Sequence, residues 1–279
     1  MNIRMGQNLD LPLPNLSKLS LRECGLSGSI FSPLSQLHFL SELDLSNNNL
    51  SSAMPNFIGN LSSLTSLLLK DCGLHGKFPE SVFQMPNLQI IDISINPFLA
   101  INLPEFPQNN TLQQLILSYT GLSGKIPDSV SNLKFLTQLD LSYCNLSGSL
   151  PSSLLNLTKL QYLYLSSNKL SGPIPSSYGN ELLNLKEFSL WNNLLNGTIP
   201  SSLSSLSSLQ LLDLGGNQLS GQRDNNLSVQ YGSGNSTFVS IPQFQYLLLR
   251  SCNISTFPNF LRNQVQLGNS TIFPSFVDQ

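Results

Sequence analysis

A fixed internal period constrains this chain more than any other feature. The pattern L-x-x-L-x-L-x-x-N/C-x-L begins at Leu16 and returns at Leu40, Leu64, Leu88, Leu112, Leu136 and Leu160, each 24 residues after the last. It begins again at Leu185 after one additional residue, then at Leu209 and at Phe244. Leucine richness alone does not hold one register over about ten cycles. The chain therefore reads as an array of stacked units rather than a globule around a central core.

The spacing within a unit has a physical meaning. Leu139 and Leu141 alternate with polar residues, so their side chains share one face of a short strand. One such strand cannot bury that face alone, whereas stacked copies form a parallel sheet backed by a continuous leucine core. The intervening residues point to solvent and are free to vary. Asn48, Asn96, Asn168, Asn193 and Asn217 recur where the chain turns away from the strand. A buried amide there satisfies backbone groups of the turn and of the next coil. Cys24, Cys72, Cys144 and Cys252 fill the same ladder position in other units. Strands of a sheet lie about 4.8 Å apart and a disulfide needs Cα atoms within about 7 Å. Cys24 and Cys72, two units apart, and the more distant Cys144 are too far apart to bridge. All four are expected as free, buried thiols, with no disulfide, and metal binding fails on the same distances.

A second motif, L-x-G-x-[IL]-P, follows each ladder position as "LSGKIP", "LSGSLP", "LSGPIP" and "LNGTIP", and loosely as "LHGKFP". Glycine allows a bend close to the neighbouring coil and proline sets the next turn. Leu133, Leu157 and Leu206 then return to the core from short helical or 3₁₀ turns on the convex side. The period lies in the leucine-rich-repeat range, and the glycine–proline motif resembles the plant-specific class of such repeats. "LPEFPQNNTLQQLILSYTGLSGKIPDSVSNL" and "LRSCNISTFPNFLRNQ" resemble plant receptor-like proteins, most closely the cell-surface immune receptors for fungal wilt and leaf-mould pathogens. The expected fold is an α/β-type repeat solenoid. It is a right-handed curved coil with a concave parallel β-sheet and short 3₁₀ or irregular turns on the convex side. The resemblance implies a non-enzymatic recognition domain on the extracellular face of the plasma membrane, acting in defence signalling. The implied partners are a peptide or protein ligand and a co-receptor or adaptor kinase.

The domain reading has five parts. Residues 1–15 form a leader without the apolar stretch of a signal peptide. Residues 16–221 are repeats of 24–25 residues, and residues 222–243 are an irregular break. Residues 244–267 are a last repeat and 268–279 a tail that matches none. Within the break, "DNNLSV" looks like the remnant of a repeat, so the chain reads as an incomplete internal segment, with a natural looped-out insertion as the alternative. No apolar run reaches the length of a membrane helix.

Catalytic chemistry finds little support. Only two histidines occur, His38 and His75, outside any metal-protease spacing. "YGSGNS" lacks the context of a phosphate loop, and no kinase motif is present. Asp44, Asp92, Asp140 and Asp213 lie between core leucines and project from the concave face. Three of them sit in alternate units at about 10 Å, a separation that would suit paired glycosidase carboxylates. Skipping a unit also keeps like charges off neighbouring strands, and that reading prevails. A net charge of −2 without a Lys/Arg cluster excludes a nucleic-acid surface. No cofactor is implied.

Glycosylation sequons stand at Asn15, Asn49, Asn60, Asn109, Asn145, Asn156, Asn196, Asn226, Asn235, Asn253 and Asn269. They fit a secreted parent, or follow from the Asn- and Ser-rich composition. The outward strand positions are mostly polar, with one exception. Ile90, Ile95, Ile116, Tyr119, Tyr143, Tyr162, Tyr164 and Trp191 gather in five successive units, with Asp92 and Asp140 among them. Exposed aromatic clusters mark binding sites, so these ten residues form the expected ligand-binding wall. Two alternatives stay open: an inhibitor of a pathogen wall-degrading enzyme, and a truncated product without independent function.

Overall fold

The computed structural model describes residues 3–4, 15–30, 32–220 and 245–252. The leader, the 222–243 break and the 268–279 tail lie wholly or almost wholly outside the described residues, as do Asn226, Asn235, Asn253 and Asn269.

Each leucine pair makes a three-residue strand, and the strands stack in chain order into one ten-stranded parallel sheet. It runs from Lys18–Ser20 through Gln138–Asp140 and Tyr162–Tyr164 to Tyr246–Leu248. The register repeats without slippage, so Leu139 aligns with Leu115 on one side and Leu163 on the other. The two strands on either side of the break pair directly, Leu211 opposite Tyr246. The inward leucines Leu43, Leu67, Leu115, Leu139, Leu163 and Leu212 are almost wholly shielded from solvent. Burying a leucine side chain is worth about 1.5–3 kcal/mol, and stacking repeats that gain in every coil.

The other side of each coil is more regular than the sequence reading supposed. The L-x-G segments form a second parallel sheet of seven strands, from His75–Lys77 to Gln218–Ser220. It was missed because two or three residues between a ladder position and a glycine carry too little alternation to read as a strand. Backbone groups there must still find partners, and the adjacent coil supplies them. The motif glycines end this sheet with φ of 91° at Gly124, 86° at Gly148 and 83° at Gly172, which only glycine adopts cheaply.

Beyond the glycine come the expected short helices. Among the described residues these are 3₁₀ turns such as Asp128–Asn132 and Ser152–Asn156, and one α turn, Tyr178–Glu181. Pro127 and Pro151 precede the 3₁₀ turns in extended conformation, with φ of −72° and −76°. Successive turns pack tightly, and at Gly179 any Cβ would overlap the Ser202 carbonyl of the next turn.

The asparagine ladder joins the coils, with one correction. Asn96 donates to the carbonyls of Ile93 and Ser94 in its own turn and to Leu69, and accepts from the N–H groups of Cys72 and Leu74. Leu69, Cys72 and Leu74 belong to the preceding coil, not the next. Thr120 holds the same position in its own coil, bonding to Leu117. The cysteines substitute only in part. Cys72 is buried and its thiol donates to Leu45 of the preceding coil at 3.1 Å. It has no carbonyl side-chain oxygen, so the Leu50 N–H turns to the Cys72 backbone carbonyl instead. Cys144 and Cys252 are half-buried, and Cys24 is exposed rather than buried; it follows Lys18–Ser20, the last strand of the long sheet among the described residues. All four are free thiols.

Candidate functional site

The ten-stranded sheet presents its outward residues in columns that run across the strands. One column reads Asp92, Ile116, Asp140, Tyr164, Ser189, Asp213. A parallel one reads Ile90, Gln114, Gln138, Tyr162, Glu187, Leu211. Of the ten residues expected at the wall, Ile90, Asp92, Ile116, Asp140, Tyr162 and Tyr164 occupy strands. Ile95, Tyr119, Tyr143 and Trp191 do not. They follow the strands, in the turn that leads to the ladder residue.

That turn has an unusual backbone. The residue before each ladder position is left-handed, with φ of 58° at Asn47, 50° at Asp71, 55° at Asn192 and 67° at Gly216. Asn, Asp and Gly tolerate this region, whereas a β-branched or bulky residue there is strained. Yet Ile95, Tyr119 and Tyr143 take the same position in three consecutive coils, with φ of 58°, 55° and 54°. All three side chains stand out into solvent, 40%, 48% and 41% exposed.

These aromatic residues touch. Tyr119 and Tyr143 stack at 4.1 Å between ring centroids, and Tyr143 lies 6.3 Å from Trp191 at 51°. Partial desolvation, with the Tyr143 hydroxyl beside it, holds the Tyr119 phenol above its ordinary value. Together with Tyr164 they line a cleft of about 420 Å³ whose floor is Ser118, Ser142, Ser166 and Ser189 and whose acidic groups are Asp140 and Asp213. Leu211 also lines it. Tyr164 is anchored, donating its hydroxyl to Glu187 at 2.6 Å, and burial followed by that carboxylate pushes its phenol well up. Tyr162 lies beside it at 6.4 Å, with the Lys186 ammonium 5.9 Å over its ring.

The aspartates have a local role that spacing did not disclose. Asp44, Asp92, Asp140 and Asp213 each accept, through Oδ1, the backbone N–H two residues on, at 3.0–3.1 Å. Each thereby caps the turn that follows its strand. Asp44 is buried by this arrangement. Burial raises the Asp213 carboxyl, against the lowering effects of the Gly215 N–H and Arg250.

Tyr119, Asp140, Tyr143, Tyr164 and Trp191 therefore converge on one cleft. Ile90, Asp92, Ile95, Ile116 and Tyr162 share the face without lining it. The sequence reading overlooked Leu211, Asp213 and the serine floor as parts of the site. Extending the two outward columns one coil beyond Trp191 would have found Leu211 and Asp213. The serines would not have been found, since they look like ordinary polar wall. The sequons at Asn15, Asn49, Asn60, Asn109, Asn145, Asn156 and Asn196 are all exposed, and none lies on a strand of the long sheet.

The Leucine Rich Repeat family profile matches residues 15–37, 39–61, 111–133, 135–157, 159–180 and 184–206. Two coils between the second and third matches, with strands Ser66–Leu68 and Ile90–Asp92, hold the same register in the sheet. The fold is that of a leucine-rich-repeat solenoid. This solenoid superposes on the plant peptide hormone receptor RGFR1 in complex with RGF2, with TM-score 0.76 and 30% identity. The match covers 97% of this chain and 46% of the receptor. The Arabidopsis receptor kinase HAESA ectodomain, in complex with an extended IDA peptide hormone, gives TM-score 0.73 and 32% identity over 86% of this chain and 38% of that one. A TDR receptor gives 0.73 and 28% over 87% and 40%. The solenoid thus spans less than half the length of each. No curated protein matches it in sequence. Among the described residues, no helix is long and apolar enough to cross a membrane.

Proposed function

We propose that this solenoid is a non-enzymatic recognition segment of a plant cell-surface receptor-like protein, binding a peptide or protein ligand on its long sheet. The aromatic cluster of Tyr119, Tyr143 and Trp191 carries this reading. Tyr119 and Tyr143, with Ile95 in the coil before them, place bulky side chains at a left-handed position where other coils use Asn, Asp or Ser, and Trp191 stands one residue before that position. Strain of that kind is tolerated where surface chemistry is worth its cost. Tyrosine and tryptophan offer large contact area with few torsions to freeze, and so dominate many interfaces.

The structural similarity to receptors solved with peptide hormones supports a peptide as the ligand class. The sequence resemblance to wilt and leaf-mould receptors supports a role in defence, at the extracellular face of the plasma membrane. It also supplies the partner, a co-receptor or adaptor kinase. The exposed sequons would then carry glycans around a sugar-free sheet.

The test is to pan the purified chain against a library of synthetic plant secreted peptides. Hits are then titrated against Tyr143→Asn and Trp191→Ala variants. Binding that is lost in both variants supports the reading. Hits that ignore both substitutions place recognition elsewhere on the molecule.

A further inference from the structure

Resting on the recognition reading, we infer that the cleft between Asp140 and Trp191 seats a cationic side chain of the ligand, with a guanidinium as its best fit. The lining is unlike the rest of the wall. Four aromatic rings, from Tyr119, Tyr143, Tyr164 and Trp191, surround a space that also holds the Asp140 and Asp213 carboxylates and contains no lysine or arginine. Ring faces attract cations, and the attraction grows as water is excluded. A guanidinium is planar, stacks on aromatic faces and forks onto a carboxylate, which suits a cleft with rings beside an acid.

The two acidic ends differ. Asp213 lies within the field of Arg250. Asp140 is three strands away, about 14 Å by sheet spacing, between Ile116 and Tyr164 in its column. The ion pairs formed among described residues, Lys18–Glu42, Arg22–Glu23 and Lys77–Glu80, all lie outside the cleft. Asp140 spends Oδ1 on the Ser142 N–H, a fixed contact that holds the carboxylate in place before any ligand arrives. Asp140 is therefore the primary seat, with Tyr143 and Trp191 as the flanking rings.

Asp140→Asn separates charge from structure, because an asparagine oxygen can still accept from Ser142. The experiment measures binding of the full chain to three pools of twelve-residue synthetic peptides by fluorescence anisotropy. The pools share randomised neutral positions and differ at one central residue, which is arginine, the neutral isostere citrulline, or glutamate. The arginine pool is expected to bind at least ~10-fold more tightly than the citrulline pool, and Asp140→Asn to erase that preference. Equal binding of arginine and citrulline, or a preference that survives Asp140→Asn, overturns the cation seat. If the arginine and citrulline pools bind equally and Tyr143→Asn abolishes that binding, the recognition surface stands while the cation seat falls. If no pool binds, both fall.

Discussion

Tyr119 and Tyr143 stack with their rings 4.1 Å apart and inclined by 12°, although both backbones are left-handed. An aromatic pair contributes about 0.5–1.5 kcal/mol beyond its buried area. Each bulky left-handed residue costs on the order of 1–3 kcal/mol. The stack alone does not offset two such positions, which makes the exposed rings poor candidates for a purely structural role.

Tyr143→Asn should therefore leave the fold intact, since asparagine accepts the left-handed turn at Asn47 and Asn192. Ligand affinity should drop by about 1–3 kcal/mol if Tyr143 is a hot spot, and Trp191→Ala should do the same. Leu163→Ala should behave in the opposite way, losing roughly 2–5 kcal/mol of stability at a fully buried position. Calorimetric titration paired with thermal melts of the three variants separates the two patterns. A Tyr143→Asn protein that melts far below the parent would show that the stack is structural.

Ile95 is the most strained residue of the series, being β-branched with φ of 58°. Replacing it with asparagine should raise stability by about 1 kcal/mol, because the side chain is 40% exposed and gives up little burial. Urea midpoints read the change directly. A lower midpoint would mean that packing of Ile95 against its neighbours outweighs backbone strain.

Asn96 tests the ladder. It is wholly buried and makes five hydrogen bonds spanning two coils. Asn96→Leu keeps the branched outline and strands those backbone groups, at a cost of about 2–4 kcal/mol. Asn96→Thr should be milder, given that threonine holds the position at Thr120. Equal destabilisation by both would indicate that shape rather than hydrogen bonding decides the site.

Cys72 predicts a pH effect. Burial pushes its thiol up to about 12 from an ordinary value of 9.0. Above pH 9 the unfolded thiol loses its proton while the folded one keeps it. The contribution is therefore complete below pH 9 and declines between pH 9 and 12, by at most ~1.4 kcal/mol per unit. Subtracting the pH profile of Cys72→Ser from that of the parent isolates this group from the tyrosines. In the same range iodoacetamide should label exposed Cys24 and spare Cys72, because the thiolate is the nucleophile. A difference profile flat in pH would contradict the burial of this thiol.

The long sheet, its leucine core and the ladder were legible in the chain because they depend on periodicity alone. An alternation at Leu139 and Leu141, repeated every 24 residues, permits no other arrangement that hides every leucine. Ile90, Ile116, Tyr162 and Tyr164 were legible for the same reason, as outward residues of known strands, whereas Ile95, Tyr119, Tyr143 and Trp191 lie in the turns that follow. What only the tertiary structure decided is how neighbouring coils meet. The second sheet arises from backbone pairing between L-x-G segments, and backbone hydrogen bonds leave no mark on side-chain pattern. The strain at Ile95, Tyr119 and Tyr143 follows from a turn conformation common to every coil, which residue identity does not reveal. The cleft itself depends on which side chains lean together across five strands. Asp140, Tyr143, Trp191 and Asp213 are 73 residues apart from first to last, and the register of the stack makes them neighbours.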